Sequence, residues 1–123
     1  MAFVLAKKTE PFWYAIDVPV VTDTGSSRTH RIDFKFRRFS RVELNELRKR
    51  SENRADTGDA LENDADYVME IAEDWRGISD GKSDLTFTRE NILTLLDQVP
   101  NSAVAIISAF FNATLGGGAK KGN

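Results

Sequence analysis

The sequence predicts an α+β fold: an N-terminal β-hairpin (about 12–21 and 31–39) packed on about four α-helices (about 41–54, 60–76, 89–98 and 102–115). Three observations point there. The stretch from Phe12 to Val21 is rich in aromatic and β-branched residues, as strands prefer. From Arg31 to Phe39 apolar and charged residues alternate with period two. Beyond Ser40 the apolar positions recur at helical spacing, and each run carries its own start or stop signal.

Each element has a local reason. Pro19 has no N–H to give to a ladder, which sends the first strand, or its end, to a sheet edge. Thr22-Asp23-Thr24-Gly25-Ser26-Ser27 has the composition of a turn. In the second strand Ile32, Phe34 and Phe36 share one face, and Asp33, Lys35 and Arg37 the other. A lone hairpin is marginal in water, so the apolar face needs the helices that follow. Ser40-Arg41-Val42-Glu43 matches a capping box, opening a helix to about Arg54 with Val42, Leu44 and Leu47 as a narrow apolar stripe. Gly58 interrupts, and Asp59-Ala60-Leu61-Glu62 is a second helix start. Leu61, Ala65, Val68, Ala72 and Trp75, with Ile71 beside them, then predict one helix through Arg76, with Gly77 as its C-cap.

Ser79-Asp80-Gly81-Lys82-Ser83 reads as a loop. Thr88 is placed to cap the third helix, with Glu90 in its first turn and Phe87 and Ile92 at hydrophobic-staple positions. Pro100 ends it, and Asn101 or Ser102 caps the fourth. That last helix, Ala103 to Leu115, is apolar nearly all round, so it is either the central core element or a subunit contact. Gly116-Gly117-Gly118 stops it. Residues 1–115 are expected to form a single domain and 116–123 a flexible Gly/Lys tail.

Composition narrows the chemistry. The 123 residues include no Cys and one His, which excludes a disulfide scaffold, thiolate metal sites and a cysteine nucleophile. The longest apolar run falls far short of the roughly 18 residues of a membrane helix, and the N-terminus lacks the pattern of a signal peptide. A soluble, cytoplasmic protein is the expectation. The formal charge of −2 conceals two blocks: residues 28–54 hold ten bases against four acids, and residues 55–97 hold three bases against twelve acids. The basic block either faces a polyanion or pairs with the acidic block inside the fold, and internal pairing is the commoner use of such runs.

Individual residues read mostly as structure. No phosphate-binding loop, dinucleotide fingerprint, zinc motif or serine elbow is present, so no enzyme activity and no cofactor or metal is expected. Asp80-Gly81-Lys82-Ser83-Asp84 has oxygen ligands but not the spacing of a calcium loop. Asp59, Glu62 and Asp66 fall on one solvated helix face, with Asp56 and Asp64 nearby, rather than forming a catalytic cluster. His30 reads as a strand-edge surface residue. Phe34 and Phe36 lie among bases, as on nucleic-acid-binding sheets, but alternation puts rings and charges on opposite faces and favours the core. Trp75 reads first as a core anchor and second as a partner contact, and Trp13, on the edge strand, as partly exposed. The candidate contact residues are Trp13, Trp75, Phe110, Phe111 and Leu115, and the candidate basic patch is Arg37, Arg38, Arg41, Arg48, Lys49 and Arg50.

Several stretches together resemble one family. Phe12-Trp13-Tyr14, the run Arg31-Ile32-Asp33-Phe34-Lys35-Phe36-Arg37-Arg38-Phe39, Asp74-Trp75-Arg76-Gly77, Phe87-Thr88-Arg89-Glu90-Asn91, Ala109-Phe110-Phe111 and the Gly-rich Lys-Lys tail make the chain similar to tail assembly chaperones of long-tailed phages or prophages. The resemblance covers most of the chain. It implies a non-enzymatic protein that binds the tape-measure protein, keeps that long helical chain soluble, helps recruit tail-tube subunits and is absent from the mature virion. The site of action would be the host cytoplasm, and self-association through Phe110, Phe111 and Leu115 would suit the role. The hairpin departs from the largely helical character of better-studied members. Two other functions fit the residues: a tail-tube or head–tail joining structural protein, and a small nucleic-acid-binding regulator using the basic 28–54 region.

The resemblance also implies a longer product made by programmed frameshifting near the end of the gene. The codons of Gly118-Ala119-Lys120-Lys121 are expected to contain a slippery heptamer with an overlapping downstream frame. The nucleotide sequence decides this, and interrupted Lys codons without an overlapping frame would remove the expectation.

Overall fold

In a computed structural model, Ala2, residues 10–53 and residues 60–115 are described. The fold is α+β, with strands β1 (Phe12–Val21), β2 (Ser27–Phe36) and β3 (Ala72–Arg76) and helices α1 (Arg41–Glu52), α2 (Ala60–Ile71), α3 (Arg89–Gln98) and α4 (Ser102–Thr114). The expected end of the first helix at Arg54, the break at Gly58, the helix start at Asp59, the acidic Asp56 and the tail 116–123 lie outside the described residues.

β1 and β2 form the expected hairpin, antiparallel in register from Phe12 opposite Phe36 to Val21 opposite Ser27. Thr22 N–H donates to the Ser26 carbonyl (2.7 Å) and Gly25 N–H to the Thr22 carbonyl (3.0 Å) across the turn. Gly25 has φ +83°, a conformation that side chains resist. β2 therefore starts earlier than Arg31 and stops at Phe36, with Arg37 to Phe39 beyond it. β1 is an edge strand, as Pro19 requires.

The largest departure is at residues 72–76. The helix expected through Arg76 ends at Ile71, and the chain passes without a loop into β3, which pairs antiparallel with β2. Trp75 lies opposite Phe34 and Asp74 opposite Lys35, yet Ala72 lies opposite Phe36, so Glu73 is the extra residue of a β-bulge. The bulge turns Glu73 and Asp74 outward together and leaves Ala72 and Trp75 facing the core three positions apart. A three-residue apolar step is what a helix also shows, which is why periodicity alone extends α2 too far. Arg37 N–H donates to the Ile71 carbonyl at 2.9 Å, giving one of the orphan carbonyls at the helix end a partner. Gly77 is not a helix cap but the residue leaving β3, at φ +90°.

The three strands, in the order β1-β2-β3, make one sheet whose inner face the helices cover. Ile16, Val18, Ile32, Phe34, Phe36, Ala72 and Trp75 point inward to meet Val68 and Ile71 of α2, Ile92 and Leu96 of α3, and Ile106 and Phe110 of α4. Phe34 contacts the rings of Phe36, Trp75 and Phe87 at centroid separations of 5.9, 5.9 and 6.3 Å. Phe110 meets Phe36 at 5.3 Å and Phe39 at 5.8 Å. Phe34 and Phe36 stack while the other pairs meet edge to face, and both arrangements add to the burial of apolar area. Trp75 Nε1–H donates to the Leu85 carbonyl at 2.7 Å, and buried Ser102 donates to the Val99 carbonyl at 2.7 Å, so these buried polar groups have partners.

The helix starts follow their signals. Ser40 and Glu43 form both halves of the capping box, and the Thr88 side chain accepts from Asn91 N–H. Ser102 opens α4 with Asn101 before it, although Asn101 makes no side-chain capping bond. α1 buries only Leu44 and Leu47, with Val42 left 73% exposed. It is held to α2 by the Tyr67 hydroxyl, which donates to the Leu47 carbonyl, and by Arg50, 2.6 Å from Glu70.

Phe34→Ala is expected to cost about 3–5 kcal/mol in urea unfolding, because the cavity would open among three rings. Val42→Ala serves as the contrast and should stay within about 0.5 kcal/mol of wild type.

Candidate partner-binding surface

Two surfaces carry the candidate contact residues that reach solvent. The first is the outer face of the sheet. Alternation sends Trp13, Ala15, Asp17, Arg31, Asp33, Lys35, Asp74 and Arg76 to this side. Trp13 is 36% exposed, and the Arg76 guanidinium carbon sits 3.8 Å from its ring centroid, with Lys35 Nζ at 5.9 Å. Stacked cations are attracted to the negative face of the indole and hold it against the sheet. Arg76 also lies 3.7 Å from Asp33, and Arg31 3.7 Å from Asp17.

The second surface is the far side of α4, where Val104 and Leu115 are 58% and 56% exposed. Phe111 is half-buried beside them in sequence and meets Phe110 at a centroid distance of 5.0 Å. Phe110 itself has no exposure, and Trp75 has 5%. Of the five candidate contact residues, then, Trp13, Phe111 and Leu115 reach solvent, while Trp75 and Phe110 are core. The inner side of α4 makes it a central core element, and Phe34 and Phe36 likewise face inward, away from the bases.

The basic block is largely engaged with its own fold. Lys35 and Arg37 approach Glu73 at 3.5 and 3.4 Å, and Arg50 approaches Glu70 at 2.6 Å, each pair joining the basic block to the acidic one. Arg38 donates to the Glu10 carbonyl at 2.6 Å and stacks over Phe12 at 4.8 Å. Arg48 donates to Asn45 at 3.2 Å, and Lys49 lies 4.0 Å from Glu46. Arg41 has no ion pair among the described residues. The bulge makes Glu73 the meeting point of two of these cations, which sequence spacing does not reveal.

The remaining candidates have local roles. His30 is exposed on β2 opposite Val18. Asp80 accepts from the N–H groups of Ser83 (2.9 Å) and Lys82 (2.8 Å), which together hold its carboxyl below the ordinary 3.8. Its oxygen stabilises its own loop, closed by a bridge between Ser79 and Asp84. Asp66 takes Arg89 at 2.7 Å and, as the largest cause, raises the Arg89 pKa. No group of three His, Asp or Glu side chains among the described residues is arranged to hold a metal ion. Among those residues, no single helix is long and apolar enough to cross a membrane.

The sequence model of a family described as phage tail assembly chaperone matches residues 1–123, the whole chain. The chain belongs to this family. Neither a curated protein nor a solved structure matches it significantly. Among the described residues, the chain pairs its family's sequence pattern with an N-terminal β-hairpin, a third strand that joins it after α2, and four helices.

With Lys35, Arg37 and Arg50 paired to the acidic block, the chain is expected to show no saturable binding to random-sequence duplex DNA at low salt in fluorescence anisotropy. A steep log–log salt dependence, the mark of several neutralised phosphates, would contradict this.

Proposed function

We propose that this chain acts by binding, without catalysis, as a chaperone for the tape-measure protein. In that role it keeps the tape-measure chain soluble in the host cytoplasm and helps bring tail-tube subunits to it. The observation that carries the reading is the family match over the whole chain. The exposed apolar side chains support it, because amphipathic helices of a partner are shielded by apolar surface on the chaperone. Trp13, Phe111 and Leu115 are the contact residues of this proposal, with Phe110 and Trp75 fixing the surface from beneath. Self-association through Phe111 and Leu115 would supply several copies along one long client. Residues 1–115 act as the binding unit, and the Gly/Lys tail 116–123 lies beyond it.

The test is co-expression with the tape-measure protein of the same phage. The expected result is a soluble tape-measure protein that co-purifies with this chain, with recovery lowered about tenfold by Leu115→Asp at unchanged helicity. Purified virions should lack the chain. An insoluble tape-measure protein that leaves the chain behind would overturn the reading, and stoichiometric incorporation into virions would establish a tail-tube or joining role instead.

A further inference from the structure

Another exposed apolar residue, Val42, lies outside both surfaces above. Val42 is 73% exposed in the first turn of α1, a solvent position where a β-branched side chain weakens a helix. It lies on α1 with Glu43, Glu46, Leu47 and Arg50, spaced at the three- and four-residue steps that share a helix face, and Phe39 stands just before the helix. With Glu70 of α2 these side chains line a cleft of about 350 Å³. Phe39, Val42 and Leu47 supply its apolar surface, and every other lining residue is charged.

The charges have one predominant sign. Three carboxylates stand against one guanidinium, and Arg50 is already engaged by Glu70 at 2.6 Å and stacked over Tyr67 at 5.5 Å. Glu43 accepts from Ser40 N–H at 2.8 Å and has no ion pair among the described residues. Among the described residues Glu46 has only the 4.0 Å approach of Lys49, with both side chains about 70% exposed. An apolar cleft with an acidic border selects an apolar side chain that brings cations beside it and disfavours one that brings acids.

We propose that this cleft docks an amphipathic segment of a partner protein, seating one apolar side chain between flanking lysines or arginines. The proposal rests on the tail-chaperone reading only in supplying such a partner. Its chemistry comes from the cleft. Desolvation of Val42 and Phe39 would provide the anchor, and Glu46 and Glu43 the orientation of the flanking cations.

The experiment uses the whole isotope-labelled chain and two short synthetic peptides with the same leucine positions, one flanked by lysine and the other by glutamate. At low salt, amide shifts from the lysine peptide should cluster at residues 39–50 and Glu70, with affinity about tenfold above that of the glutamate peptide. Val42→Asp should weaken binding about tenfold, with helicity unchanged at so exposed a position. Glu46→Lys should narrow or invert the preference between peptides. Shifts elsewhere, equal affinity for both peptides, or no binding by either would overturn the proposal. So would a peptide-free dimer that Val42→Asp dissociates, since the occupant would then be a second copy. If the tape-measure protein co-purifies undiminished with Val42→Asp, this cleft is wrong while the chaperone reading stands. If the lysine peptide docks here but the tape-measure protein is not retained, only the chaperone reading fails.

Discussion

Phe34 and Phe36 are completely buried on a strand whose opposite side is solvated, so their rings must be covered from one side by everything else. β1 flanks them, with Phe12 6.0 Å from Phe36, and β3 brings Trp75 against Phe34. α4 delivers Phe110, and the segment before α3 delivers Phe87. Each of these elements contacts that pair of rings, and the helices add packing against one another. The sheet thus acts as the template on which the helices assemble.

Charge follows the same arrangement. Strand alternation sends one face of the sheet to water, where oppositely charged residues lie close enough to neutralise each other. The basic and acidic blocks of the chain are separated in sequence but meet at Glu73 and at Glu70. Exposed pairs of this kind contribute little stability individually. Their larger effect is to leave a nearly balanced surface, against which the locally acidic cleft along α1 is distinct.

Much of this was readable in the residues. The hairpin, the capping box, the Thr88 cap and the extent of α3 follow from signals within a few positions of one another, and the structure places them accordingly. The end of α2 was not readable, because Ala72 and Trp75 owe their spacing to a bulge defined by pairing with a strand about forty residues away. Burial was legible for Phe34 and Phe36 through alternation, but not for Phe110. On a helix apolar nearly all round, periodicity does not say which side meets the sheet. Val42 was assigned to the stripe of Leu44 and Leu47, although at 3.6 residues per turn it points nearly opposite Leu44. That geometry was available in the sequence and would have set it apart. The acidic border of the cleft was not available there, since Glu70 comes from another helix.

The direct passage from Ile71 into Ala72 makes this junction a ruler. Loops absorb insertions and deletions because slack in them leaves the flanking elements where they were. Here no slack exists: one residue more or less would turn Trp75 to solvent or rotate the buried face of α2 off the sheet. Relatives that keep this architecture should therefore vary in length at the Thr22–Ser26 turn and hold constant the count from Ala65 to Trp75. An alignment gap within that stretch would mark a different way of joining helix to sheet.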